Sequence, residues 1–149
     1  MDCKAEHDQE LDRAGNIGVL QDRKKLLELP TMTDPSILMA MRMLINLFPP
    51  TLFINPMLNN WIAAKMVNLS MEYGYAPETP KALTNYGVVL AVGGDFQAGH
   101  EFGSLALQMI NTRGPAAMRP RVLFTFLGDL NHWKKPLRTT SELIDDAYI

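Results

Sequence analysis

"YGVVLAVGGDFQAGHEFGSLALQMI", Tyr86 to Ile110, holds five of the chain's ten glycines and decides between a phosphate-binding loop and a helix hairpin. A Walker-type loop needs a lysine and a hydroxyl after its glycines, so that the cation meets the phosphates and the hydroxyl meets magnesium. "GGDFQAGHEFGS" offers neither Lys nor Thr at those places. A dinucleotide fingerprint fails as well, because the glycines follow a helical segment rather than a strand and Asp95 would repel a pyrophosphate. The other reading gives every small residue a place. Gly93 and Gly94 break one helix, Asp95 caps the next, and Gly87, Gly99 and Ala106 stand 12 and 7 residues apart. That is the spacing of small residues in a tetratricopeptide hairpin, with Gly94 at its turn. Gly103 lies four residues beyond Gly99, on the same face. Small side chains are needed where two helices cross closely, since larger ones would force the backbones apart. Gly87, Gly94, Gly99, Gly103 and Ala106 are therefore read as the turn and seam of a helical hairpin.

Outward from this stretch, prolines and capping residues divide the chain into helix-length segments. Asp34 caps and Pro35 starts a helix whose apolar face is Ile37, Met41, Leu44, Ile45 and Phe48, and Pro49-Pro50 are expected to end it. Asn55-Pro56 repeats the pattern for a helix with Leu58, Trp61, Ile62, Lys65, Met66 and Leu69 on one face, terminated at Gly74. Thr79 caps and Pro80 opens the helix that runs to Gly93. After the Asp95 helix comes "RPRVLFTFLGDLNHWKKP", read as a further helix through Val122, Phe126, Leu127, Leu130 and Trp133, and "TTSELIDDAYI" reads as the start of one more. "QDRKKLLEL" is a short helix and "RAGNIG" a turn. No strand-like alternation occurs. The expected fold is all-α, made of antiparallel helix hairpins with six to seven helices, as a tetratricopeptide-like right-handed superhelix or an irregular helical bundle. Residues 1–17 are expected to be a disordered N-terminal segment, and residues 18–149 one helical-repeat-like domain, a fragment of a longer array.

The 149 residues suffice for one domain with a real core, and 47% hydrophobic against 20% charged residues is a globular composition. A net charge of -2 and a pI near 5.9 leave no electrostatic footprint for nucleic acid. No apolar run is seen to approach the roughly 20 residues of a spanning helix, the N-terminus is charged, and Cys3 is alone, so no membrane partner and a reducing cytoplasm are expected. The ten methionines fall mostly at helical core spacing and are read as pliable core filler.

Chemistry-bearing residues are sparse. His100-Glu101 resembles the start of a zinc-protease helix, but the second histidine that motif needs is Ser104. Asp129 and His132, three apart, can share a helix face yet lack a nucleophile. Lys134-Lys135 beside Trp133 suit a helix C-terminus. No catalytic, cofactor or metal residues are assigned, and no cofactor is expected.

Three stretches carry a family resemblance: "LPTMTDPSILMAMRMLINLFPP", "NPMLNNWIAAKMVNLSMEYG", and the hairpin stretch followed by "RVLFTFLGDLNHWKKPLRTT". Together they resemble the long helical region of large bacterial signalling proteins that combine a serine/threonine kinase domain, an AAA-type ATPase module, GAF sensors and a histidine kinase. The resemblance covers about residues 26–140 and implies a non-catalytic scaffold or protein-interaction segment, partnered by other kinase domains or by another protein. The family's ATP-binding and phospho-acceptor residues belong to domains with no counterpart here. A repeat array ending at Ile149 is expected to expose an apolar face at its C-terminal end and to self-associate. The alternative reading is a small stand-alone helical enzyme or ligand-binding sensor, with a site between helices converging on His100, Asp129 or His132.

Overall fold

A computed structural model of the chain describes residues 3–16 and 19–133. They form α1 (Cys3–Gly15), α2 (Val19–Leu27), α3 (Pro35–Ile54), α4 (Pro56–Tyr73), α5 (Thr79–Val92), α6 (Phe96–Arg113) and α7 (Arg119–Thr125). Among the described residues the architecture is all-α, and the nearest approach to a sheet is an isolated bridge between Thr31 and Tyr75. The helix expected in "TTSELIDDAYI", the Lys134-Lys135 pair and the expected apolar C-terminal end lie outside the described residues.

α4 is the central helix, packed against α1, α3 and α5. Its Ile62, Ala63, Ala64, Met66 and Val67 are all buried, which is why this helix shows no clean polar face. α5 and α6 form the antiparallel hairpin, and α7 lies across both. The Tyr86 and Phe102 rings stand nearly perpendicular, at 85°, with centroids 5.1 Å apart in the core of that pair. α6 is stapled to the loop before α3 by Arg113, whose guanidinium lies 4.0 Å from the Tyr75 ring and donates to the Leu29 carbonyl at 2.7 Å.

Three expectations are corrected. First, within the segment expected to be disordered, Cys3–Gly15 is a helix with Ala14 fully buried. The reason is a long-range one. The Glu10 carboxylate accepts from Lys65 Nζ at 2.8 Å and Asn68 Nδ2 at 2.7 Å, and the same Asn68 amide donates to the Glu10 carbonyl at 2.9 Å. Second, Pro49-Pro50 do not end α3. Each proline removes one N–H from the ladder, but its fixed φ is itself helical. The carbonyls left without a ladder donor are those four residues before the prolines, on Ile45 and Asn46; the turn that follows is tied from the side, where the Thr51 hydroxyl shares its proton between the Leu47 and Phe48 carbonyls, both at 2.9 Å, and Asn59 of α4 donates to the Phe48 carbonyl at 2.6 Å. Third, the helix expected through Trp133 is not regular. α7 ends at Thr125 and Phe126–Leu130 forms a wider π-turn, in which the Asn131 N–H donates to the Phe126 carbonyl five residues back. The extra residue per turn buries Phe126, Leu127 and Leu130 together.

Candidate functional site

The capping residues build the scaffold that positions both surfaces of interest. The Asp34 carboxylate accepts the N–H groups of Ser36 at 2.8 Å and Ile37 at 3.4 Å, and Asp95 accepts that of Ala98 at 3.0 Å. Asn55 serves two helices: its N–H donates to the Thr51 carbonyl at the end of α3, and its side chain accepts from the Leu58 N–H at the start of α4. Thr79 stands inside the first turn of α5, and its hydroxyl accepts the Ala76 N–H at 2.9 Å, one residue group outside the helix, while Glu78 occupies the cap position.

The seam residues divide by neighbour. A Cβ on Gly87 would lie 2.7 Å from the Gly99 carbonyl oxygen, so the α5 and α6 backbones touch there. Gly94 adopts φ +101° at the turn, a left-handed conformation that glycine takes without steric cost. Ala106 is fully buried in the main core. Gly103 faces elsewhere: a Cβ on it would meet Phe126 and Leu130 of the π-turn rather than Gly87. Four residues advance a helix by about 400°, so Gly103 is rotated by about 40° from Gly99, toward α7.

An exposed apolar surface runs along α3 into α4. Met39, Met43 and Leu47 repeat at four-residue spacing, Phe53 and Ile54 are 86% and 81% exposed, and Met57 and Leu58 continue the patch. Arg42 is the one charged residue among the twenty of α3. Against the reading of the methionines as mostly core filler, Met39, Met43 and Met57 are on the surface, while Met32, Met41, Met66 and Met109 are buried. Because α3 passes through its prolines, it is 20 residues long, with a mean hydropathy of 1.7 over its most apolar 18 residues, and it is the one described helix long and apolar enough to cross a membrane. This corrects the expectation that no apolar run approaches that length. The prolines had divided the run at Phe48.

The polar seam between α5 and α7 was not singled out from the sequence. The Lys81 ammonium donates to Asn85 Oδ1 at 2.7 Å and to Thr125 Oγ1, and Thr125 in turn donates to the Arg121 carbonyl at 3.2 Å. Burial, reinforced by the Arg121 guanidinium and opposed by Asp129, pushes the Lys81 ammonium down to about 8. Asn85 is 1% exposed. Asp129 and His132 line a cleft of about 350 Å³ with Val88, Ala91, Val92 and Phe96. Desolvation raises the Asp129 carboxyl above its ordinary range, against the pull of Lys81 and His132. The structure therefore brings Asp129 and His132 together but not His100, whose ring packs 5.5 Å from Phe126 with Nδ1 3.4 Å from the Ser104 hydroxyl. Lys81 is the sole charged residue of α5, with an asparagine one turn on, which is the one trace of this seam in the sequence. Cys3 is exposed, and no three metal-ligating side chains converge among the described residues.

Fold and surfaces define an all-α bundle with one exposed apolar helix and a polar seam beside a cleft. No family model, no curated protein and no solved structure matches this chain.

Proposed function

We propose that the chain is a non-catalytic helical scaffold that acts by protein–protein contact, with the apolar face of α3 and the start of α4 as its docking surface and a second copy of the chain as the occupant. The observation that carries this reading is the continuous exposure of Met39, Met43, Leu47, Phe53 and Ile54 on one nearly uncharged helix. Apolar patches of this extent are uncommon on monomers and mark interaction sites. The ridge of Met39, Met43 and Leu47 covers about 12 Å of helix, with Phe53 and Ile54 beyond it, and packs against its own copy across a two-fold axis, while Arg42, with Glu78 at 3.7 Å, needs no complementary charge opposite. Methionine suits such a face because its flexible thioether adapts to the facing surface. An interaction scaffold is also the role implied by the resemblance to the helical region of multidomain signalling kinases.

Light scattering after gel filtration tests the assignment. The expected result is a concentration-dependent dimer that Met43→Glu and Phe53→Glu convert to a monomer with unchanged helical circular dichroism. A strict monomer at high concentration overturns it, and a monomer that binds neutral lipid vesicles through the same two residues replaces it with a membrane-surface role.

A further inference from the structure

α1 and α4 lie side by side in a parallel register. Arg13 reaches Glu72 at 3.4 Å, and Glu10 meets Lys65 at 2.8 Å and Asn68 at 2.7 Å. One turn earlier on both helices the same register sets His7 against Trp61, and one turn earlier again it sets Cys3 against Met57. These four residues, with Glu6 and Leu58, line one cleft of about 340 Å³. We propose that this cleft binds a soft monovalent metal ion, Cu(I), between the Cys3 thiolate and Nε2 of His7.

The carrying observation is the state of the His7 ring. Its Nδ1 lies 3.0 Å from Asp8 Oδ1, and a carboxylate can only accept, so Nδ1 carries the proton and Nε2 keeps its lone pair. Nε2 is buried and finds no hydrogen-bond donor, on a side chain that is 14% exposed. A carboxylate that fixes the tautomer from behind while the other nitrogen is left bare is the arrangement found behind metal-bound histidines. Cys3 stands four residues earlier on the same helix, so the two side chains share a face with Cβ atoms about 5–6 Å apart. A linear sulfur–metal–nitrogen unit sets its donors about 4 Å apart, which one helical turn spans. Cys3 is exposed, and the ion enters from its side.

The donor set selects the ion. Among the described residues no three His, Cys, Asp or Glu side chains converge, so a zinc site with its three or four such ligands is not formed. A monovalent d¹⁰ ion is satisfied by two donors in line, and thiolate, imidazole and the thioether of Met57 in the same wall suit Cu(I). Binding exchanges a proton and moves no electron: the Cys3 thiol releases its proton to solvent as the S–Cu bond forms. The thiolate then cancels the single charge of the ion, which suits walls of Trp61, Met57 and Leu58.

Transfer of Cu(I) from its bicinchoninate complex to the full chain, without oxygen, tests the proposal. The chain should withdraw a single Cu(I), with loss of the chelate colour, quenching of Trp61 fluorescence, and X-ray absorption that shows sulfur and nitrogen neighbours. Cys3 is the only thiol, so bound copper should also stop its alkylation by iodoacetamide, a reading that needs no variant. Cys3→Ser and His7→Ala should each weaken binding at least about tenfold with unchanged helical circular dichroism, and Asp8→Ala should weaken it by freeing the ring. No withdrawal of Cu(I), or alkylation that continues with copper present, overturns the proposal. So does a His7→Ala chain that binds as tightly as wild type, which would mean a thiol acting alone. Displacement of the copper by an equal concentration of Zn(II) overturns the choice of ion.

Discussion

Gly87 and Gly99 are reciprocal: a Cβ on the first would stand 2.7 Å from the carbonyl oxygen of the second, and a Cβ on the second 2.6 Å from the carbonyl oxygen of the first. Neither carbonyl can move without uncoupling a turn of its own helix. Gly99→Leu is therefore expected to destabilise the chain by overpacking, by about 1–3 kcal/mol, and thermal unfolding by circular dichroism measures it. An unchanged midpoint would show that the two backbones do not meet there.

Gly74 carries a second backbone constraint. It sits at φ +106°, and a Cβ there would run into the Pro30 carbonyl, which accepts the Tyr75 N–H at 2.7 Å. Gly74→Ala should cost about 1–3 kcal/mol through the strained dihedral alone, with loss of the Pro30–Tyr75 bond in addition. Urea unfolding and hydrogen exchange at Tyr75 and Met32 report the two effects separately.

Docking of α1 depends on ionised Glu10. Burial opposes that ionisation, but the hydrogen bonds from Lys65 and Asn68, with the Lys65 and Arg13 charges, outweigh it and hold the carboxyl below its ordinary value of 4.5. A carboxyl depressed in the folded state contributes stability that is complete above the unfolded value and is lost as the pH falls through the folded one. Amide protection in α1, taken relative to the intrinsic exchange rate at each pH, should accordingly fall below about pH 4, and Glu10→Gln should show low protection at neutral pH with a weaker acid response. Acid-insensitive exchange in the wild-type helix would contradict this.

Lys81 has the opposite linkage. Its ammonium is pushed from 10.5 to about 8, so the unfolded chain holds more protons between these values and stability rises with pH across that window. The gain is at most about 3 kcal/mol. Lys81→Met should remove the rise, and the difference between wild type and variant from pH 7.5 to 9.5 isolates it from the tyrosines. Tyr86 does not interfere there, because burial pushes its hydroxyl up to about 12. A flat difference between the two proteins would count against a desolvated lysine.

Asn59 tests why α3 outlasts its prolines. Its amide satisfies the Phe48 carbonyl at 2.6 Å and donates to Thr51 Oγ1 at 3.1 Å, and it is 2% exposed. Asn59→Leu removes both bonds that α4 makes to the last turns of α3 and should cost about 1–3 kcal/mol in urea unfolding. A variant as stable as wild type would mean that the prolines alone set the course of α3.

What could be read along the chain was local. Asp34, Asn55 and Asp95 announce helix starts because a short polar side chain before an apolar period can bond the first free N–H groups, and this needs three or four neighbouring residues only. The α5–α6 hairpin was legible for the same reason, since its turn and its small residues fall within twenty-five positions. The apolar faces of α3 and α6 followed from their period.

Contacts across the sequence decided the rest. Glu10 meets Asn68 over 58 residues and Lys81 meets Thr125 over 44, and no local preference registers such a bond. Those contacts turn an acidic N-terminal stretch into a docked helix and an ordinary lysine into a desolvated one. They also bear on punctuation: Pro49-Pro50 fit inside α3 because their fixed φ is helical, and Thr51 and Asn59 tie down the turn that follows them. The length of α3, and with it the exposed apolar face, therefore belongs to the tertiary structure. The bond from Asn59 to the Phe48 carbonyl spans eleven residues, and only the fold brings its two ends together.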